Sequence, residues 1–293
     1  MTAAGTTGGG AAADAQPAGP LAAAPSTRGR GRLAVWALQL LVAVGVIVLW
    51  ELAASARVVN PAIIGRPLEI ARELVGFVGG AKIYGRTIYD HLLASLQVIA
   101  IGYALGAAAG IVVGFAFGRS RLLNRVFEPF ILAVASVPKI AIAPLFVIVL
   151  GIGLASKVSI VFIEVFFMVF FSTIRGVFGV NEEYVNIARI IGASRLAVMR
   201  RVIIPAALPD ILFGLRMGVP FAITGMVLGE FIASNQGLGW LILYSSSTLN
   251  PDGLWAALLF LVALTWVLSQ LIVVVENRLL RWQPQRREGA MQV

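Results

Sequence analysis

Residues 182–209 read EEYVNIARIIGASRLAVMRRVIIPAALP, a polar and basic interval enclosed on both sides by long apolar runs. Ile187, Ile190 and Ile191 recur at helical spacing, and the pattern stops at Gly192, the residue type best able to take the left-handed conformation that ends a helix. Ser194 is placed to cap a second helix, in which Leu196, Met199 and Ile203 recur while Arg195, Arg200 and Arg201 stay polar; Pro205 is expected to close it. The interval predicts a helix, a glycine turn and a helix. Physics alone leaves two readings open for such a pair: a basic helix lying on lipid headgroups, or a solvated linker.

The flanking runs set the class. With 59% hydrophobic residues, 13% charged residues and a mean hydropathy of +0.91, the chain reads as an all-α integral membrane protein. No cysteine is present, which removes disulfides, thiolate metal sites and a cysteine nucleophile, and one histidine, His91, leaves too few ligands for an all-protein zinc site. Without partner ligands around it, His91 reads as an interfacial hydrogen-bonding residue.

Residues 1–32 lack apolar periodicity and end in Arg28, Arg30 and Arg32, as expected of a disordered cytoplasmic tail; 281–293 is a basic C-terminal tail. Between them, residues 33–280 form the membrane domain. Apolar runs place six transmembrane helices at about 33–54, 92–117, 128–151, 157–174, 206–233 and 254–275. The first competes with a cleavable signal peptide, since Ala54-Ser55-Ala56 has a small-x-small pattern, but its length exceeds an ordinary signal core and favours an anchor. Pro67 opens an amphipathic interfacial helix carrying Ile70, Leu74, Val75 and Phe77. The second span carries glycine at 102, 106, 110, 114 and 118, one helix face made of nothing but hydrogen, which predicts close packing of another helix. Trp36, Trp50, Trp255 and Trp282 near span ends read as interface anchors.

The net charge of +9 is informative through its placement and does not call for a nucleic-acid partner. With both termini inside, fifteen of the 23 Lys and Arg residues fall on the cytoplasmic side and six outside, while Lys139 and Arg216 lie within spans. The positive-inside rule thus predicts an N-in, C-in topology with loop 182–205 in the cytoplasm, between spans four and five.

Asn186-Ile187-Ala188, three residues, Gly192, nine residues and Val202-Ile203-Ile204-Pro205 resemble the EAA motif of ABC-importer permeases, which runs E-A-A, three residues, G, nine residues, I-x-L-P. Ala188, Gly192 and Pro205 match it, Val202 and Ile204 are conservative, and Asn186 and Ile187 depart. Val137-Pro138-Lys139-Ile140-Ala141-Ile142-Ala143-Pro144-Leu145, Gly151-Ile152-Gly153, Gly214-Leu215-Arg216, and Glu230 followed by Gly237-Leu238-Gly239 resemble segments of the nitrate, sulfonate and taurine branch, so that similarity covers about residues 34–280. The resemblance implies a permease subunit that pairs with a second copy, docks a cytoplasmic ABC ATPase through a coupling helix pair, and takes a small anion from an extracytoplasmic binding protein. It implies that Asn186, Ala188, Gly192, Ala193, Arg195, Arg200 and Pro205 form the ATPase contact. With Glu and Ala replaced at 186 and 187, the partner ATPase is expected to have a less basic, roomier groove.

No G-x-x-x-x-G-K-[ST] phosphate loop occurs, so no cofactor is expected in this chain and ATP belongs on the partner subunit. Charges inside a membrane cost enough to be functional or paired. Lys139, Arg216, Glu164 and Glu230 are therefore candidates to line the translocation pathway, or else structural pairs of Lys139 with Glu164 and Arg216 with Glu230. Two other classes remain to be weighed: an ATP-independent secondary transporter, for which the halves show no repeat, and an intramembrane enzyme, for which no nucleophile and base converge. Within the importer class, a vitamin or pyrimidine precursor is the alternative cargo.

Overall fold

Asn60, Thr87, Ser120, Asn181, Ser194 and Asn250 each cap the start of a helix with their side chains, and Gly65, Gly79, Gly151 and Gly179 stand at helix ends. The structure, a computed structural model, describes residues 28–280, with side chains from residue 34 onward; the tail at 281–293, Trp282 and most of the tail at 1–32 lie outside the described residues. The chain divides into two units at Leu49–Trp50. The first contains most of α1 (Arg28–Ser55), whose segment Ala34–Ser55 is long and apolar enough to cross a membrane.

The second unit opens with a short helix α2 (Pro61–Ile64), capped by Asn60, and the amphipathic α3 (Pro67–Val78), which starts on Pro67 as expected and buries Ile70 and Phe77. Arg66 anchors that start: its guanidinium meets Glu51 Oε1 at 2.7 Å and its backbone N–H donates to Asp252 Oδ1 at 2.8 Å. α4 (Ile88–Arg119) begins earlier than the apolar run indicates. Thr87 and Asp90 form a capping box, with Thr87 N–H donating to Asp90 Oδ2 at 2.9 Å, and this satisfies the otherwise orphaned first turn.

The expected third span, 128–151, is not one helix. It is α5 (Arg121–Ser136) and α6 (Lys139–Leu150), bent by 87°. Pro138 is the cause: its ring bars the preceding residue from the helical region, and Val137 is extended at φ −68°, ψ 128°. α7 (Leu154–Phe178) follows, then α8 (Glu182–Ile190) and the short α9 (Arg195–Val198). A five-residue π turn, Met199–Ile203, joins α9 directly to α10 (Ile204–Ala233). Pro205 therefore does not close the second helix of the interval. It sits in the first turn of α10, where its missing N–H and its ring would spoil a regular α bond to the carbonyl four residues back, and the wider π turn absorbs the mismatch. Arg195–Ala233 runs as one membrane-length segment.

Beyond α10, the segment 234–253 holds an unforeseen helix, α11 (Leu238–Ser247), with Leu238, Leu241 and Ile242 buried. α12 (Pro251–Leu279) closes the described chain, capped by Asn250. Five helices, or six spans counting the bent pair, suit a membrane by length and composition, and every regular element among the described residues is helical.

α7 is the central rail. The glycine stripe of α4 lies on it: a Cβ on Gly106 would stand 2.7 Å from Phe162 O, on Gly110 2.9 Å from Phe166 O, and on Gly114 2.8 Å from Phe170 O. Each four-residue step along α4 thus meets a four-residue step along α7. α10 uses the same device on another face of α7, where a Cβ on Gly214 would stand 2.5 Å from Ser172 Cβ and one on Gly225 3.0 Å from Val161 Cα. Backbones approach this closely only when small residues line the seam, and lipid-solvated helices gain attraction from such packing in place of a hydrophobic driving force. Val98, Val161, Val165, Val169, Ala222 and Met226 fill the space between.

Candidate functional site

The α8–α9 corner is built as a complete helix-stop and helix-start. Gly192 has φ +83°, Gly192 N–H donates to Arg189 O and Ala193 N–H to Ala188 O, each at 3.0 Å, which is the paired bonding of a Schellman cap. Ser194 Oγ then accepts from Ala197 N–H at 3.2 Å to begin α9. Asn181 caps α8 from the other side through Glu183 N–H at 2.8 Å. Glu182 pairs with Arg121 at the start of α5.

Ala188 and Val198 are the buried residues of this corner, facing the bundle. The other apolar residues face outward: Ile187, Ile190, Ile191 and Leu196 are 57, 83, 78 and 58% exposed, and Tyr184 is exposed beside them. Ile187 therefore lies on the open surface and not against the bundle, which answers where its extra bulk goes. Asn186 lines a cavity of about 810 Å³ between the ends of α4 and α7 and this corner, together with Arg119, Arg121, Glu182, Arg189, Ala193 and Arg195. Arg200 is exposed on the π turn and Pro205 lies partly buried behind it. The structure thus gathers Asn186, Ala193 and Arg195 around one cavity and leaves Arg200 and Pro205 outside its lining.

The four intramembrane charges separate. Lys139 Nζ lies 4.0 Å from Glu164 Oε2, so these two residues face each other as anticipated, from α6 and α7. Arg216 does not meet Glu230. Its guanidinium is 3.8 Å from Glu276 Oε2, on the last turns of α12. Arg216 and Glu230 both lie on α10, about 21 Å apart along its axis at 1.5 Å per residue, so they cannot pair, and each finds its partners on other elements.

Glu230 is fully buried at the opposite end of the bundle from the α8–α9 corner. Its Oε1 accepts from Ser95 Oγ at 2.8 Å and its Oε2 from Gly239 N–H at 2.7 Å. Ser95 Oγ also accepts from Leu238 N–H at 2.8 Å, and Gly237 N–H donates to His91 Nδ1 at 3.0 Å. A Cβ on Gly237, at φ +114°, would fall 2.2 Å from the Glu230 carboxyl, so the glycine is what admits the carboxylate. Glu230, Ser95 and His91 thereby fasten the α10–α11 link to α4. His91 has the expected hydrogen-bonding role, but inside the bundle, where it is buried and stacked on Trp240 at 5.6 Å. Ser95 and Glu276 carried no signal in the sequence beyond being polar in or beside an apolar run. Among the described residues, no three His, Asp or Glu side chains converge as metal ligands.

The binding-protein-dependent transport system inner membrane component family matches residues 102–281, a stretch that begins at the first glycine of the α4 stripe and includes the capped corner and all of α10. The chain belongs to this family. It is a multi-pass cell-membrane permease of the ABC-importer type. The Escherichia coli (strain K12) taurine transport system permease protein TauC is 30% identical over 236 residues, covering 80% of this chain and 86% of that protein. The formylaminopyrimidine transport permease protein ThiX of Halalkalibacterium halodurans is 29% identical over 242 residues, covering 82% of this chain and 93% of that protein. Among solved structures, an inward-facing MetNI methionine ABC transporter chain superposes with a TM-score of 0.57 at 18% identity, covering 66% of this chain and 94% of that chain, a likeness of fold alone.

Proposed function

We propose that the chain is the membrane-spanning subunit of an ATP-driven importer for a small anion of the sulfonate or taurine class, with both termini and the α8–α9 corner in the cytoplasm. A separate ABC ATPase docks on that corner, a second permease copy completes the translocation path, and an extracytoplasmic binding protein delivers the solute. The observation that carries this reading is the corner itself: a doubly capped turn that keeps Tyr184, Ile187, Ile190, Ile191 and Leu196 exposed among arginines. Apolar side chains ringed by charge at the end of a membrane bundle suit a protein partner better than water or lipid. The similarity to a taurine permease supports a sulfonate cargo.

In the proposed cycle, ATP-driven closure of the two ATPases moves both corners, and the helices rock between inward-facing and outward-facing states. A rigid, capped helix pair transmits such a push. Gly192→Leu tests it, because a side chain at φ +83° must rebuild the turn while meeting no neighbouring atom within 4 Å. The expected result is an intact bundle, judged by melting, that no longer co-purifies with its ATPase and no longer imports taurine in reconstituted vesicles. Undiminished co-purification and ATP-dependent uptake would refute the docking role, and uptake that ignores ATP would point to a secondary carrier. Import of a formylaminopyrimidine but no sulfonate would replace the cargo and leave the permease reading in place.

A further inference from the structure

Opposite the corner, a cavity of about 390 Å³ opens at the start of α7, lined by Gln97 and Val98 of α4, Gly153, Leu154 and Lys157, and Ser234–Gln236 after α10. Two independent sources of positive potential meet there. Lys157 is only 8% exposed, its stem laid against Gly229, where a Cβ would fall 3.2 Å from Lys157 Cγ. Its ammonium donates to the neutral Ser234 Oγ at 3.2 Å and makes no ion pair among the described residues; Glu230, the acid that acts on it, has its oxygens engaged by Ser95 and Gly239. An ammonium has three donors, so two remain for a ligand. The second source is the N-terminus of α7, a 25-residue helix that Gly153 leaves without a side-chain cap, so its first N–H groups are unpaired within the helix.

Ser234 is held in place for this: its Oγ donates to Gln236 O and accepts from Gln236 N–H at 3.3 Å, folding the 234–236 loop over the lysine. The volume is at the small end of ligand cavities, and the wall beyond the lysine is neutral and amide-bearing, supplied by Gln97, Asn235 and Gln236.

We infer that this cavity binds the anionic head of a small organic sulfonate, with Lys157 as its charge partner and the start of α7 as its second donor group. It is a receiving site on the face where the binding protein would release solute, and in that purpose, though not in its chemistry, it rests on the permease reading. A tetrahedral head with three oxygens can use the two free lysine donors and a helix N–H together, and the short carbon chain occupies the rest of the volume.

The test uses the full chain in nanodiscs, titrated with ethanesulfonate and with the uncharged ethyl methyl sulfone, and read by saturation-transfer NMR. Ethanesulfonate is expected to saturate and the sulfone not to bind. Lys157→Met is expected to weaken ethanesulfonate by roughly tenfold or more, with Lys157→Arg recovering part of the loss. Gln97→Glu places a negative charge at an exposed lining position without disturbing the Lys157 stem, and carries the test if Lys157→Met does not fold; it is expected to weaken binding by a similar factor. Lys82→Met serves as the charge-loss control and is expected to bind as the wild type. Equal binding of the sulfone, no binding by the wild type, or wild-type affinity in both Lys157→Met and Gln97→Glu would overturn the site. Those results with ATPase association intact leave the permease reading standing, whereas lost association with sulfonate binding intact does the reverse.

Discussion

Gly110 is the sharpest test of how this bundle is held. It lies mid-stripe on α4, and a Cβ placed on it would sit 2.9 Å from Phe166 O, 2.9 Å from Val169 Cβ and 3.1 Å from Phe170 N. Two of those atoms are backbone and cannot turn aside. Carbon atoms prefer about 3.5–4.0 Å, so Gly110→Ala asks for a retreat of roughly 0.6–1 Å. α7 cannot supply that locally, because Gly106 and Gly114 pin it one turn to either side and α10 closes its other face. Overpacking of this kind costs about 2–3 kcal/mol toward its upper range, against which alanine returns about 1 kcal/mol of helix propensity. The net loss is therefore about 1–2 kcal/mol, or a melting temperature lower by roughly 2–8 °C for a domain of this size. Gly110→Val should lose more, since it adds bulk and regains less propensity. Gly76→Ala on α3 is the matched control: its nearest contact would be Ala81 Cβ at 3.9 Å, an ordinary distance, so its melting temperature should hold or rise. Thermal unfolding of purified full-length variants in one detergent decides the matter. If Gly110→Ala and Gly76→Ala melt together at or above the wild type, the glycine seam is not what sets helix spacing.

Three further substitutions probe the polar positions. Glu230→Ala strips acceptors from Ser95 Oγ and Gly239 N–H, leaving buried donors at about 1–3 kcal/mol each, and should lower the melting temperature clearly more than Glu230→Gln, which keeps one acceptor; equal losses would mean the carboxamide cannot substitute at all. Arg216→Met combined with Glu276→Gln should show a coupling below about 1 kcal/mol by double-mutant melting, because the arginine side chain is 54% exposed; unchanged uptake at matched expression would remove Arg216 from the pathway, and a loss would place it there. Asn186→Glu adds a carboxylate to a cavity lined by this chain's own Arg119, Arg121, Arg189 and Arg195, and against the less basic groove expected of the partner it should not tighten ATPase association measured by co-purification; a clear tightening would show a basic partner surface at position 186.

Long apolar runs made most of the spans legible, because an α-helix satisfies its own backbone hydrogen bonds in lipid. The α4 stripe was legible for the same local reason: five glycines at a spacing of four occupy one face whatever surrounds them. Helix boundaries were harder. Thr87 and Asp90 look like loop residues until their side chains are seen closing a capping box, and Pro138 was visible as a residue while the 87° bend it forces was not. α11 escaped because ten residues beside a polar stretch fall below membrane length. The turn of the α8–α9 corner was legible, since Gly192 and Ser194 act within a few residues of themselves, whereas the end expected at Pro205 is replaced by a π turn that runs on into α10. Pairings across helices were not legible. That Arg216 meets Glu276 depends on how α10 and α12 are set against each other, and the Lys157 cavity draws on α4, α7 and the loop after α10, segments far apart in the chain with no shared motif.

One helix connects the two sites. From Arg195 the chain runs through the π turn and α10 to Ala233 as a single membrane-length segment, so whatever displaces the Gly192 turn acts on a continuous rod and not on a linker. At its near end that rod touches α7 backbone to backbone, where a Cβ on Gly176 would meet Ala207 O at 2.9 Å. At its far end Glu230 holds Gly239 and Ser95, and Ser234 holds Lys157, so the loop roofing the Lys157 cavity is an extension of the same rod. α7 reaches both ends as well, with its first turn in the cavity wall and its last turns leading into α8. On the importer reading, relative movement of α7 and α10 started at the corner must therefore alter the distance between Lys157 and Ser234. A sulfonate bound at Lys157 would then be sensitive to the state of the corner without any contact between the two sites.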